Sequence, residues 1–337
     1  MNNLFDPYGA GCLIDLHLHL DGALTADIVR ELAAMQHIPL PADDRELRAM
    51  ITVPEGCVSL TDYLKIFSFT SSLLRSGPAL TLAVRRVLRK QKEQGVIYTE
   101  IRFAPQLSVC EGFSQEDAVL AALRGLRESE DCRAGLILCC LRGSSDDINL
   151  ETLAIAKRWL GKGVCAVDLA GAEALWPTAD YKPLLGRAVE LGLPFTVHAG
   201  EAAGPESVDA AVSYGARRIG HGVRSVSDPA VMRRLADTRV TLELCPTSNL
   251  DTKAVSELSR YPLRTFMEYG IPVTVNTDDP AISDTDLRRE WKLLTDAFSV
   301  TDDEARAILL NAADAAFTDD AEKEHLRNAI SAYFSNK

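Results

Sequence analysis

Eight short apolar segments recur along the chain, and this recurrence constrains the fold more than any other feature of the sequence. Stretches with helical spacing of apolar residues lie between them, as at 114–129, 149–163 and 228–238. Strands that alternate with helices predict parallel βαβ units. The apolar segments span residues 12–20, 96–104, 134–143, 164–171, 193–200, 216–222, 240–246 and 271–279.

The number of strands favours an α/β fold of the (β/α)₈ TIM-barrel type, in which a closed sheet leaves no edge strand unpaired. The alternative is an open, doubly wound sheet, but no GxGxxG loop follows the first strand. Residues 23–95 contain extra helices, including one over 60–76, and are interpreted as an insertion over the barrel mouth. A helical C-terminal segment, 286–336, follows the last strand, so we expect one domain over residues 1–337.

Composition narrows the class of protein. The chain of 337 residues has a formal net charge of −12 and no run of Lys or Arg, which disfavours binding to nucleic acid or to an anionic membrane. Its eight cysteines form no CxxC pair, and we expect them to be reduced thiols. No secretory leader and no apolar run of the roughly 20 residues needed to span a membrane is visible, so a cytoplasmic enzyme is expected.

Polar side chains collect where the predicted strands end, which is the face of a barrel on which active sites are built. The motif "LHLHLDG" places Asp15, His17, His19 and Asp21 on one face of the first strand, because side chains alternate along a strand. Two histidines with this spacing suit chelation of one borderline-soft cation. Asp15 lies deepest, where a supporting hydrogen bond is expected.

Three further motifs add ligand-type and proton-transfer groups. His198 ends the fifth strand, and Glu201 follows three residues later, where partial burial would raise the pKa of its carboxyl group. His221 lies between two glycines, which allow a close approach. Asp278 and Asp279 form a carboxylate pair that a cation would stabilise, although "DDP" is also typical of a helix start.

The mid-barrel strand carries Asp168 rather than lysine. Binuclear barrel hydrolases often use a modified lysine from such a strand to bridge two metal ions, and no predicted strand end has one here. One metal ion per chain is therefore expected.

Six motifs in this order resemble the adenosine deaminase family. They are "LHLHLDGA" (16–23), "VDLAG" (167–171), "HAGE" (198–201), "IGHG" (219–222), "LELCPTSN" (242–249) and "VNTDDP" (275–280). The family is a group of zinc-containing (β/α)₈ barrels among the amidohydrolases, and it converts adenosine and deoxyadenosine to inosine and deoxyinosine plus ammonia. The resemblance implies a purine nucleoside substrate and attack of zinc-bound hydroxide on purine C6.

The resemblance also implies roles for individual residues. Glu201 would donate a proton to purine N1, His221 would orient and deprotonate the attacking water, and Asp279 would contact that water and purine N7. Asp21 would bind a ribose hydroxyl, and the backbone of Gly171 would hydrogen-bond to N3. The zinc ligands would be His17, His19, His198 and Asp278.

The segment "LTDYLKIFSF" is similar to the hydrophobic lid of the family. Leu60, Tyr63, Leu64 and Phe67 share one helical face and would close over the purine, although ordinary helix packing explains the same pattern. Ala104 and Ala172 depart from common family residues, which affects the expected substrate more than the chemistry. A deaminase of adenine or aminofutalosine, an amidohydrolase of a non-purine amide, and a non-catalytic homologue therefore stay as alternatives.

Overall fold

A computed structural model describes residues 4–54 and 56–336, and it contains eight parallel strands in one sheet with the order β1 to β8. Each strand pairs with the next along the chain, which confirms the predicted (β/α)₈ barrel. The observed strands are shorter than the apolar segments, because the chain leaves the sheet as it presents polar side chains. They are β1 Leu13–His19, β2 Val96–Phe103, β3 Arg133–Leu141, β4 Val164–Ala170, β5 Phe195–Ala199, β6 Arg218–His221, β7 Thr241–Leu244 and β8 Val273–Val275.

The barrel closes where residues beyond β8 meet β1. Asp278 donates its backbone N–H to the His17 carbonyl at 2.8 Å, and the N–H of His19 donates to the Asp278 carbonyl at 2.8 Å. Leu18 and Asp278 thereby form a parallel bridge. A predicted metal ligand is thus also the residue that joins the two ends of the sheet.

The helices lie where the sequence predicts them, and their ends follow the expected capping rules. Ser114 and Asp117 form a reciprocal capping box, and the Asp228 side chain caps a helix with Pro229 in its first turn. Between strands the helices are α6 Gln115–Glu128, α7 Asp146–Trp159, α8 Lys182–Glu190, α9 Pro205–Ser213, α10 Pro229–Thr238, α11 Pro246–Asp251 and α12 Leu263–Glu268. Those that follow β8 are α13 Leu287–Phe298, α14 Asp302–Ala315 and α15 Asp320–Ser335.

Between β1 and β2 the described residues form five helices, and here one prediction is wrong in detail. They are α1 Ala26–Gln36, α2 Asp44–Ile51, α3 Leu60–Tyr63, α4 Phe67–Ser72 and α5 Gly77–Glu93. The helix expected over 60–76 is interrupted by a 3₁₀ turn at Leu64–Ile66 and ends at Ser72. Apolar spacing continues through this turn because the 3₁₀ and α periods differ little over three residues.

The described part of the chain forms one large apolar core between the barrel and its surrounding helices. Leu16, Leu18 and Leu20 of the first strand segment are fully buried in that core, as their alternation predicts. Within the described ranges no helix is long and apolar enough to cross a membrane. None of the eight cysteines, all of which lie in the described ranges, forms a disulfide bond.

Candidate active site

The predicted metal ligands converge at the carboxyl ends of the strands. His17 and His19 each place Nε2 3.1 Å from Nε2 of His198. Oδ1 of Asp278 lies 3.1 Å from Nε2 of His17 and 3.3 Å from that of His19. In a tetrahedral zinc site with bonds near 2.0–2.1 Å, neighbouring donor atoms are roughly 3.3 Å apart. The four donors therefore match the dimensions of such a site.

The other ring nitrogens of two histidines are hydrogen-bonded to buried carboxylates. Nδ1 of His17 lies 2.6 Å from Oε2 of Glu243, and Nδ1 of His198 lies 3.0 Å from Oδ2 of Asp168. A carboxylate accepts a hydrogen bond from a protonated Nδ1, so the Nε2 atoms of these two neutral rings carry lone pairs. Lone pairs at 3.1 Å repel unless a cation lies between them, so the donor set fits a metal ion.

Backbone geometry beside the ligands is held by neighbouring polar residues. Asp278 has a left-handed φ of 61°, which is costly for a residue other than glycine. The Ser248 hydroxyl donates to its Oδ2 at 2.7 Å. Asp15 accepts from the Thr277 hydroxyl at 2.6 Å and from the N–H of His17 at 3.2 Å. Asp15 therefore ties β1 to the segment after β8, as its expected supporting role requires.

A network of buried charges lies beneath the predicted metal ligands, inside the barrel. Arg102 donates to Asp168 at 3.0 Å and to Glu243 at 2.9 Å. Arg218 pairs with Glu243 and with Glu100, each at 2.6 Å. Although burial opposes ionisation, the two arginines hold the pKa of Glu243 well below its usual range. The charged carboxylates can thus orient the histidines above them.

Glu201 and His221 face each other across the cavity. Oε2 of Glu201 lies 3.6 Å from Nε2 of His221, which is itself 3.8 Å from Oδ2 of Asp278. Burial, with the nearby charges of Asp278 and Glu173, raises the pKa of Glu201 to about 8. Its Oε1 has no hydrogen-bond partner within residues 4–54 and 56–336. A buried carboxyl that is protonated near neutral pH can donate a proton to a ligand.

The orientation of His221 is set from behind by an amide. The Tyr261 hydroxyl donates to Oδ1 of Asn249 at 3.0 Å, so the amide nitrogen of Asn249 faces Nδ1 of His221 at 2.9 Å. Because that amide donates, Nδ1 accepts and the proton of the neutral ring is at Nε2, towards the cavity. Gly220 leaves room for this arrangement, since a Cβ there would lie 2.9 Å from Cε1 of His17.

Asp279 presents a second carboxyl to the cavity. Burial, and then the charges of Asp278 and Asp21, raise the pKa of Asp279 well above its usual range. Its Oδ1 lacks a hydrogen-bond partner in the described part of the chain. Gly22 packs directly against it, and a Cβ on Gly22 would lie 1.8 Å from Oδ1. The glycine is therefore required for the present position of this carboxyl.

A cavity of about 320 Å³ joins these groups. This volume is near the lower end for small-molecule sites, which span ~300–1,000 Å³. Asp21 lines the cavity and accepts a hydrogen bond from the Ser71 hydroxyl at 2.8 Å. The remaining predicted substrate contacts also line it: Leu60, Tyr63, Leu64, Phe67 and Gly171.

The sequence interpretation missed several supporting residues, among them Arg102, Glu243, Arg142 and Glu173. Arg102 and Glu243 lie within strands, where an alternating charge was the available signal. Arg142 follows β3 and donates to the His198 carbonyl at 2.7 Å. Glu173 follows β4 and accepts from backbone N–H groups beside Glu201. No local pattern identifies the last two, because their partners lie on other strand ends.

Comparisons with known proteins agree with this geometry. The sequence profile of the family described as adenosine deaminase matches residues 12–333. An adenosine deaminase of Haemophilus ducreyi is 46% identical over 323 residues, which is 93% of this chain and 94% of the relative. Among solved structures, an adenine deaminase of Arthrobacter aurescens is 28% identical with a TM-score of 0.87, over 96% of this chain and 99% of the other.

A third similar protein extends the comparison of folds. An amidohydrolase of Burkholderia ambifaria with bound Zn is 24% identical with a TM-score of 0.86, and the alignment covers 96% of this chain and 91% of that one. At this identity the likeness concerns the barrel alone.

Proposed function

Because this chain belongs to the adenosine deaminase family, we propose that it hydrolyses the 6-amino group of adenosine and 2′-deoxyadenosine. The products are inosine or deoxyinosine and ammonia, which suits a role in purine salvage. The single observation that carries the proposal is the cavity itself. Three of the four candidate metal ligands and two buried carboxyls with raised pKa values, Glu201 and Asp279, line a volume of about 320 Å³.

Zinc is the metal that we propose, with one ion per chain. Three imidazole nitrogens and one carboxylate oxygen form a ligand set typical of Zn²⁺. The bound ion supplies Lewis acidity, which makes hydroxide available near neutral pH. A second candidate group, His221, Cys245 and Asp278, shares Asp278 with the first. Burial also raises the pKa of the Cys245 thiol well above its usual range, which disfavours a second ion.

The two buried carboxyls suit the ring nitrogens of a purine. Addition of water at C6 makes N1 more basic, and Glu201 would donate a proton there. Burial, with the nearby charges of Asp278 and Asp21, favours the protonated form of Asp279, which would donate a hydrogen bond to N7. The N–H at Nε2 of His221 would donate a hydrogen bond to the incoming water and orient it, since that atom lies between Glu201 and Asp278. With its proton at Nε2 the ring cannot also be the base for this water, as the family resemblance implied, so the proton that the water loses would restore the carboxyl of Glu201. The hydroxyl proton at C6 would then pass to the amino group, which leaves as ammonia while C6 becomes a carbonyl.

The cationic side chains of the cavity favour a nucleoside over a nucleotide. Arg142 is the one Lys or Arg side chain among its described lining residues. The Nη atoms of Arg142 already donate to the carbonyls of Trp176 and His198 and to the Thr178 hydroxyl. A 5′-phosphate would therefore meet an arginine whose Nη atoms are already engaged, whereas Asp21 can accept a hydrogen bond from a ribose hydroxyl.

A related 6-aminopurine is the second candidate substrate. The 28% identity and TM-score of 0.87 to an adenine deaminase favour adenine as the first alternative. Aminofutalosine and a non-purine amide are further alternatives. Asp21 favours the nucleoside, because free adenine has no hydroxyl group for this carboxylate to bind.

The variant Glu201→Gln tests the proposed chemistry. We expect it to lower kcat for adenosine by ~10²–10⁴-fold, because the amide cannot donate a proton to N1 and be regenerated. Metal content, measured by atomic emission, should stay at one zinc per chain, since Glu201 is outside the ligand set. Loss of the metal, or full activity, would contradict the assigned role.

A further inference from the structure

The loop that carries both His198 and Glu201 is held from one side by the carboxylate of Glu173. This side chain is 1% exposed. Its Oε1 accepts from the Ser207 hydroxyl and from the N–H of Gly200 at 2.8 Å. Its Oε2 accepts from three successive N–H groups, those of Glu201 at 3.1 Å, Ala202 at 2.7 Å and Ala203 at 2.9 Å. Four consecutive peptide groups therefore depend on one buried anion.

A second anchor holds the start of the same loop. Arg142 donates to the His198 carbonyl at 2.7 Å and to the Thr178 hydroxyl at 2.9 Å. That hydroxyl lies 2.7 Å from the Ser207 hydroxyl, which donates to Glu173. Arg142 thus acts on the metal-ligand end of the loop, whereas Glu173 acts on the peptides around Glu201.

The Glu201 side chain has little support of its own. Oε1 has no partner among the described residues, and Oε2 lies 3.6 Å from His221, beyond hydrogen-bond distance. The Thr252 hydroxyl is the group that hydrogen-bonds to its carboxyl. The direction of the side chain is therefore set mainly by its backbone, and the backbone is bound by Glu173.

We propose that Glu173 is the positioning residue for Glu201, and that its four backbone hydrogen bonds aim the proton donor at the substrate. This inference rests on the proposed function of Glu201. Glu173 is not among the described residues that line the cavity, so it acts through the loop and not by contact with substrate. Substitution of Glu173 should therefore lower kcat, while substrate binding and metal content change little.

The test is Glu173→Gln in the full-length zinc enzyme. Glutamine keeps the shape but turns an NH₂ group towards backbone N–H groups that need an acceptor. We expect kcat for adenosine to fall about 10²-fold, the effect of a displacement of about 1 Å. KM should change less than about threefold and zinc content should stay at one per chain. Glu206→Gln is the matched control, because Glu206 is exposed and accepts a hydrogen bond from the N–H of Gly204, at the end of the same loop.

A double-mutant cycle separates positioning from general damage. In a Glu201→Gln background, Glu173→Gln should lower kcat by less than about threefold, because the proton donor that Glu173 positions is already absent. The inference would be overturned if Glu173→Gln lowered kcat equally in the Glu201→Gln background. It would also be overturned if the single variant lost zinc or kept the kcat of the wild type.

A milder variant keeps the inference testable if Glu173→Gln does not fold. Ser207→Ala removes one donor to Glu173 and should lower kcat several-fold, again only when Glu201 is present. Equal losses with and without Glu201 would overturn the inference. Assay of the wild-type enzyme separates the proposed function from the positioning role of Glu173. Failure of the wild type to deaminate adenosine would refute the proposed function. Wild-type turnover with an unimpaired Glu173→Gln variant would refute the positioning role alone.

Discussion

Gly22→Ala probes whether the position of Asp279 matters for catalysis. A Cβ on Gly22 would lie 1.8 Å from Oδ1, 2.6 Å from Cγ and 2.7 Å from Cβ of Asp279. Ordinary van der Waals contact needs roughly 3.5 Å, so the carboxyl must move by more than an ångström. Rotation of the side chain alone does not relieve the contact with its Cβ, and the backbone after β8 must shift too. The backbone φ of Gly22 is not positive, so the substitution adds no conformational strain there.

The expected losses of activity and stability in Gly22→Ala follow from the displacement of the Asp279 carboxyl. A misplacement of about 1 Å typically costs about 10²-fold in rate, so kcat/KM for adenosine should fall by about that factor. Overpacking should lower the free energy of unfolding by about 1–3 kcal/mol. Steady-state kinetics give the first quantity, and urea denaturation followed by circular dichroism gives the second.

A surface glycine supplies the control. Gly186 lies in α8, and an added Cβ there meets nothing within 4 Å. Gly186→Ala should leave kcat/KM unchanged and stabilise the helix by up to about 1 kcal/mol. If Gly22→Ala kept kcat/KM within about threefold of the wild type, the position of Asp279 would not be important for the reaction.

Three further predictions follow from the site. The kcat/KM for adenosine should fall as pH rises through about 8, because Glu201 donates only when protonated and its pKa is about 8; a rate that rises steadily to pH 9.5 would contradict this role. Removal of the metal with a chelator should abolish turnover and lower the Tm, since lone pairs of His17 and His198 then face each other at 3.1 Å, and added Zn²⁺ should restore both; turnover that survives full chelation would contradict the metal site. Glu243→Gln should lower the free energy of unfolding by about 3–5 kcal/mol, because it leaves buried arginine charge uncompensated, and zinc affinity should fall ~10–100-fold. Glu257→Gln, at an exposed pair with Arg260, should cost less than about 1 kcal/mol in the same denaturation assay; equal losses in the two variants would contradict the buried network.

Local signals in the sequence were enough to predict the barrel and to select the residues that meet at its mouth. Period-two alternation in "LHLHLDG" separates a buried leucine face from a polar face, and this pattern does not depend on distant residues. Parallel strands direct their carboxyl ends to one face, so His198, His221 and Asp278 had to approach His17.

The residues that support the site could not be predicted in the same way, because they are distant in the sequence from the residues they contact. Glu243 is 226 residues from His17 and Glu173 is 27 residues from Gly200. Neither residue stands in a motif that reveals its partner. The break at Leu64–Ile66 was missed for another reason, since tertiary contacts and not propensity decide where a short helix tightens into a 3₁₀ turn.

The substrate assay tests the central claim most directly. The purified protein, loaded with Zn²⁺, is incubated with adenosine, 2′-deoxyadenosine, adenine, aminofutalosine and adenosine 5′-monophosphate, and deamination is followed by the change in ultraviolet absorbance. We predict rapid turnover of adenosine and deoxyadenosine, with kcat/KM for the other three at least about 10²-fold lower. Preferred turnover of adenine or of the monophosphate would contradict the role of Asp21, and no turnover of any substrate by enzyme that contains one zinc per chain would contradict purine deamination.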